Sequence, residues 1–228
     1  AEADGARVGG HHKWLADPDG QARLIDRIVL PLAARYGAGG SHGPLGRAVH
    51  AWDLLNEPDW IVAEHHPSPR LPAPIPFDVL AAWAADAAAT IRAHQAGGTT
   101  IGSARLRFAG WWDDPSFGFD FLQAHTYYDP AHDFDLLQTP CAALGLSRPL
   151  VVGECSARGD AHDAVRRRPA LSAIDLTEAA AEGGYAGAWP WSWRGVDGHG
   201  PLATDAARAI RDLADRRRGG ATTSTRQP

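Results

Sequence analysis

Two glutamates carry the chemical interest of this 228-residue chain. Glu57 closes the apolar run of AWDLLNEPDW, and Glu154 closes that of PLVVGEC. Each stands where a strand-like segment stops. Two carboxylates that face one another across a cleft can break a glycosidic bond with retention. One is protonated and donates to the leaving oxygen; the other is ionised and attacks the anomeric carbon, and the gap between them is about 5–5.5 Å. Neighbours would set that division, because a carboxylate that receives hydrogen bonds stays charged and one in an apolar pocket stays neutral. A single glutamate after a strand reads more simply as a helix cap or a surface charge. The pair resists that reading when HTY at 125–127 and WPWSW at 189–193 stand beside it.

The elements that must position these residues follow from periodicity. Leu24–Tyr36 predicts an amphipathic helix with Leu24, Ile28 and Leu32 on its inward stripe and a kink at Pro31. Strands are expected over Ala48–Leu55, Thr99–Phe108, Phe121–Tyr128, Pro149–Cys155 and Tyr185–Trp193. Helices are expected over Phe77–His94, Phe134–Leu146, Leu171–Glu182 and Leu202–Arg216, with a long Pro- and His-containing loop over 59–76. Strands that alternate with helices lie parallel. Polar residues gather at the C-terminal ends of these strands, the rim from which a (β/α)8 TIM barrel draws its active site. The expectation is an α/β fold, a partial barrel of five strands over residues 1–216, with a disordered polar tail at 217–228. The distance along the chain from Glu57 to Glu154 accommodates three strand–helix units, so their strands stand apart around the rim. Pro58 has no N–H and ends the ladder. Asn56 and Glu57 are adjacent and would face opposite sides of a regular strand; both reach one ligand only if the strand end is irregular, as in a bulge.

Composition narrows the partners. Twenty-two basic against 27 acidic residues give a net charge of −5, which argues against nucleic acid or an anionic membrane surface. No apolar run approaches a membrane span. Cys141 and Cys155 form no disulfide framework or metal motif and are expected to be small buried hydrophobes. His65 and His66 lack a third ligand at a known spacing, so no metal is expected. The nine tryptophans are core residues or platforms for sugar rings. Trp60 is a candidate for stacking on a sugar beyond the cleaved bond. Trp111 to Asp114 (WWDD) line a subsite or cover the barrel end, and Asp129 and Asp133 read as turn residues.

Taken in order, NEP, HTY, GEC and WPWSW resemble the clan A retaining glycoside hydrolases, family 5 above all (cellulases, mannanases and relatives). The resemblance covers about residues 10–216. It implies Glu57 as general acid/base on the family's fourth strand, and Asn56 as the ligand of the sugar 2-hydroxyl. It implies His125 and Tyr127 at the end of the sixth strand, with the tyrosine bonded to the nucleophile. It implies Glu154 as that nucleophile on the seventh strand, and Trp191 on the eighth as the floor of the sugar at the cleavage point, with Trp189 and Trp193 as alternates. It also implies a carbohydrate substrate, no cofactor, secretion, and a monomer at full length. Three strands that precede NEP in the family, an early arginine and a histidine after the third strand have no clear counterpart; His11 and His12 are the only candidates for the histidine. The expectation is therefore a piece of a longer enzyme. Two other readings compete: a carbohydrate-binding pseudoenzyme or inactive fragment, which would bind without turnover, and a metal-dependent barrel hydrolase, which a chelator would inhibit.

Overall fold

The computed structural model describes residues 13–64, 74–127, 133–160, 170–195 and 201–221, the last five by backbone alone. His11, His12, His65, His66, Tyr128 and Asp129 lie outside the described residues. Five strands form one sheet in chain order: β1 (Ala51–Asn56), β2 (Gly98–Ser103), β3 (Leu122–Thr126), β4 (Leu150–Ser156) and β5 (Gly187–Trp191). β1 pairs with β2, and β4 with β5, in parallel. The chain divides into two compact units, Ala1–Ala104 with Phe108–Gln123, and Arg105–Arg107 with Ala124–Pro228.

In the first unit the opening helix is two pieces, α1 (Pro18–Leu24) and α2 (Leu30–Tyr36), joined by a π turn over Ile25–Val29. The Asp17 carboxylate caps α1 by accepting from Gly20 N–H at 2.9 Å. Pro31 has no N–H to give, and the chain meets that loss with a wide turn just ahead of it, where Leu30 N–H reaches the Ile25 carbonyl five residues back. The extra residue rotates the apolar stripe. Ala33 is fully buried with Ile91 and Ala96, and Val29, Trp52 and Leu54 pack on them. Ile28 and Leu32, expected inward, are 50% and 39% exposed.

Helix α3 (Phe77–Ala93) buries Leu80, Ala84, Ala87 and Ile91 along one stripe, with Ala81 and Ala88 beside it. β2 stops at Ser103, short of the expected Phe108, because Leu106–Trp112 winds into 3-10 turns. That winding carries Trp112 into the core against Phe77, Phe117 and Phe119, with the Phe77 ring centroid 4.8 Å away. Trp112 is thus a packing residue and offers no face to a sugar. Trp111 meets Phe77 edge-on and stays exposed.

In the second unit β4 is apolar and almost wholly buried, as its continuous hydrophobic run predicts. Helix α4 (Ala173–Glu182) starts with a reciprocal box. Ser172 Oγ accepts from Asp175 N–H, and the Asp175 carboxylate accepts from Ser172 N–H at 2.7 Å, which holds that carboxyl below its usual range. Helix α5 (Thr204–Ala221) packs on α4 and extends past the expected end at Arg216. Residues 134–146 do not form the expected helix; a turn at 136–138 leads to a 3-10 segment, Cys141–Leu144, bounded by Pro140 and by Gly145 at φ 65°. Cys155 is fully buried, and burial pushes its thiol up to about 12. Cys141 departs from expectation in being only half-buried, and both thiols are free. Asp133 does turn work: its two oxygens accept from Leu106 and Arg107 N–H at 3.1 and 3.0 Å. Among the described residues no helix is long and apolar enough to cross a membrane.

Candidate active site

Glu57 owes its position to an irregularity at the end of β1. Asp53 lies opposite Thr100 and Asn56 opposite Gly102, so three steps on β1 match two on β2. This is the bulge that the Asn56–Glu57 pair requires. The Gly102 N–H is taken by Asp53 Oδ1 at 3.1 Å, and the Gly102 carbonyl accepts from Glu57 N–H at 2.7 Å. Glu57 then adopts the left-handed region at φ 50°, ψ 49°, a conformation that costs a side-chain-bearing residue roughly 1–3 kcal/mol and persists where its surroundings impose it. Pro58 begins a 3-10 turn through Trp60. That turn brings the Trp60 indole N–H to Glu57 Oε2 at 2.8 Å. Trp60 therefore orients the carboxylate while its ring remains partly exposed. Asn56 is exposed at the end of the strand.

Glu154 is placed by a matching device in the second unit. Val152 lies opposite Ala188 and Cys155 opposite Pro190, which leaves one extra residue on β4. Pro190 has no N–H for the ladder, and a bulge is where a strand tolerates proline. The Tyr127 hydroxyl donates to Glu154 Oε2 at 2.7 Å, and His125 Nδ1 lies 3.3 Å from the same oxygen. The Glu154 side chain is 13% exposed and that of His125 2%. The Tyr127 hydroxyl and His125 Nδ1 thus meet the same oxygen of a carboxylate that keeps slight contact with solvent. His125 and Glu154 are also potential metal donors. Trp191 is 43% exposed at the end of β5, where its carbonyl accepts from Ala157 N–H at 2.9 Å. Trp189 and Trp193 are exposed as well.

Two aspartates escaped the sequence reading. Asp53 looks like an ordinary outward polar residue of a strand, and Asp59 like a loop residue. Asp59 is only 2% exposed, and its Oδ2 accepts from Ala104 N–H at 2.5 Å. The one available signal was an acidic residue placed within an apolar run, three positions before Asn56.

Strands and helices of this order form part of a (β/α)8 barrel, and solved structures share that fold. The chain is similar to the endo-1,4-beta-mannanase of Eisenia fetida (TM-score 0.64, 20% identity, 89% of this chain and 61% of that one). It is similar also to the beta-mannanase of the blue mussel Mytilus edulis (TM-score 0.62, 18% identity, 88% and 62%). The beta-1,4-mannanase of the sea hare Aplysia kurodai gives a TM-score of 0.62 at 17% identity, over 89% and 61%. At these identities the likeness is one of fold, and the chain spans about three-fifths of the length of these structures. No family model matches the chain, and no curated protein sequence matches it.

Proposed function

We propose that the chain carries the catalytic half of a retaining glycoside hydrolase that cleaves β-linked polysaccharides or oligosaccharides. Glu154 attacks the anomeric carbon while Glu57 protonates the departing oxygen. The C–O bond to the aglycone breaks, and a glycosyl ester to Glu154 forms. Glu57, now ionised, takes a proton from water, which attacks the anomeric carbon, breaks its bond to the Glu154 oxygen and frees Glu154. The observation that carries this reading is the Glu154 carboxylate, held on one oxygen by Tyr127 and His125. That arrangement fixes one oxygen of the carboxylate, and this reading assigns the attack to the other. Asn56 is assigned to the sugar 2-hydroxyl and Trp191 to the apolar face of the ring. The solved structures of similar fold are β-mannanases, which makes β-1,4-mannan the first substrate to offer. The mechanism needs no cofactor.

The test is substitution followed by kinetics on mannan and on aryl β-mannosides. Glu154→Ala should abolish turnover. Glu57→Gln should slow poor leaving groups far more than activated ones, because only the former need the proton. A Glu154→Ala protein that keeps its rate would end the assignment. Binding of mannan by the parent chain without turnover would favour the pseudoenzyme instead.

A further inference from the structure

We propose that Asp59 and Asp53 are positioning residues for Glu57 and act through the end of β2. The inference rests on the reading of Glu57 as general acid/base. A regular parallel ladder would offer backbone carbonyls of β1 to the N–H groups of β2. The bulge between Asp53 and Asn56 breaks that supply. Two carboxylates replace it: Asp53 Oδ1 receives Gly102 N–H, and Asp59 Oδ2 receives Ala104 N–H. The Glu57 N–H bonds to the Gly102 carbonyl between them. The acid/base residue is thus bracketed, two residues before one anchor and four after the other, and the anchored N–H groups, Gly102 and Ala104, lie at and just past the end of β2.

The two anchors differ in burial, and so in weight. Asp59 is buried, and its bond to Ala104 is short, as expected of a carboxylate acceptor. It shares the 3-10 turn with Trp60, whose indole holds Glu57 Oε2. Loss of the Asp59 anchor frees that turn, and with it both the backbone of Glu57 and the donor on its carboxylate. Asp53 is exposed on the strand and secures the bulge. Neither aspartate is required to touch substrate. Their effect is to keep Glu57 in a left-handed conformation that it would otherwise leave.

The experiment compares Asp59→Ala, Asp59→Asn and Asp53→Ala with Glu57→Gln, all in the full chain. The probes are dinitrophenyl and unactivated aryl β-mannooligosides. Asp59→Ala should lose about 100-fold in kcat/KM on the unactivated substrates, the scale of an ångström-sized misplacement. It should change little on the dinitrophenyl ones. Asp59→Asn keeps an acceptor oxygen for Ala104 and should restore most of the rate. Equal losses on both substrate classes would overturn the proposal, since general damage to the fold does not distinguish leaving groups. If Asp59→Ala does not fold, Asp53→Ala, which removes the acceptor for Gly102 N–H, decides: a smaller loss confined to unactivated substrates supports positioning, and no loss refutes it. Glu57→Gln separates the two levels. If it lacks the leaving-group dependence, the acid/base assignment itself falls; if it shows the dependence and Asp59→Ala does not, only the positioning role falls.

Discussion

Replacement of Tyr127 by phenylalanine removes one hydroxyl and nothing else from the surroundings of Glu154. The bond at stake is 2.7 Å long and ends on a carboxylate oxygen. Hydrogen bonds to charged groups contribute about 1.5–3 kcal/mol, and each 1.36 kcal/mol is about tenfold in rate. The full range would therefore correspond to about 10- to 150-fold. Two features draw the expectation to the lower end. His125 Nδ1 remains near the same oxygen, and the carboxylate keeps some contact with water. We expect kcat/KM for Tyr127→Phe to fall about 10- to 30-fold on mannooligosides, with Tm little changed. The rate of covalent trapping by a fluorinated mannosyl fluoride should fall in parallel, because that step reports the attack by Glu154 alone. His125→Ala combined with Tyr127→Phe should deviate from additivity, because both donors serve one oxygen. A Tyr127→Phe enzyme that is trapped and turns over at the parent rate would refute the view that this hydroxyl prepares the nucleophile.

Other outcomes follow from the packing and the titrations. Trp112→Ala should destabilise by about 3–5 kcal/mol in thermal or urea melts, as a fully buried aromatic does when truncated. Trp111→Ala, at an exposed site, should cost far less. The Cys155 thiol is raised from 9.0 to about 12. Between those pH values the unfolded chain has released a proton that the folded one retains, so stability falls as pH rises through that window. Cys155→Ala should flatten that slope in urea melts while it lowers stability at neutral pH through the lost packing. Trp191→Ala should raise KM for mannooligosides at least as much as it lowers kcat, and a KM equal to the parent's would remove it from the sugar platform.

Much of the fold was legible because strand order depends on local pattern. The apolar run of PLVVGEC and the alanine-rich FDVLAAWAADAAATIRAH could hardly form anything else, and both appear as expected. The irregular end of β1 was also legible, since two adjacent residues with one task imply it. What failed was phase and extent. One inserted residue ahead of Pro31 turned Ile28 and Leu32 outward and Ala33 inward, and no periodicity carries that insertion. The segment from Leu106 to Trp112 has strand-like composition, but its tryptophan finds an aromatic cluster that only the folded chain assembles. Residues 134–146 have helical spacing, and Pro140 and Gly145 break it. At the candidate site the glutamates were visible in the sequence. The supports of Glu57, namely Asp53, Asp59 and the bond from the Trp60 indole, were not, because a carboxylate that anchors a neighbouring strand has the same letter as one that faces water.

The proline of β5 has a bearing on how easily this chemistry could be lost. β4 carries one residue more than its partner between Val152 and Cys155. A deletion of Gly153 would return the strand to even pairing and remove the bulge beside Glu154. The change would remove one glycine and leave the charge and the candidate site residues intact. Counting residues between landmarks thus matters as much as naming them, and an aligned relative one glycine shorter here would keep the glutamate without the bulge beside it.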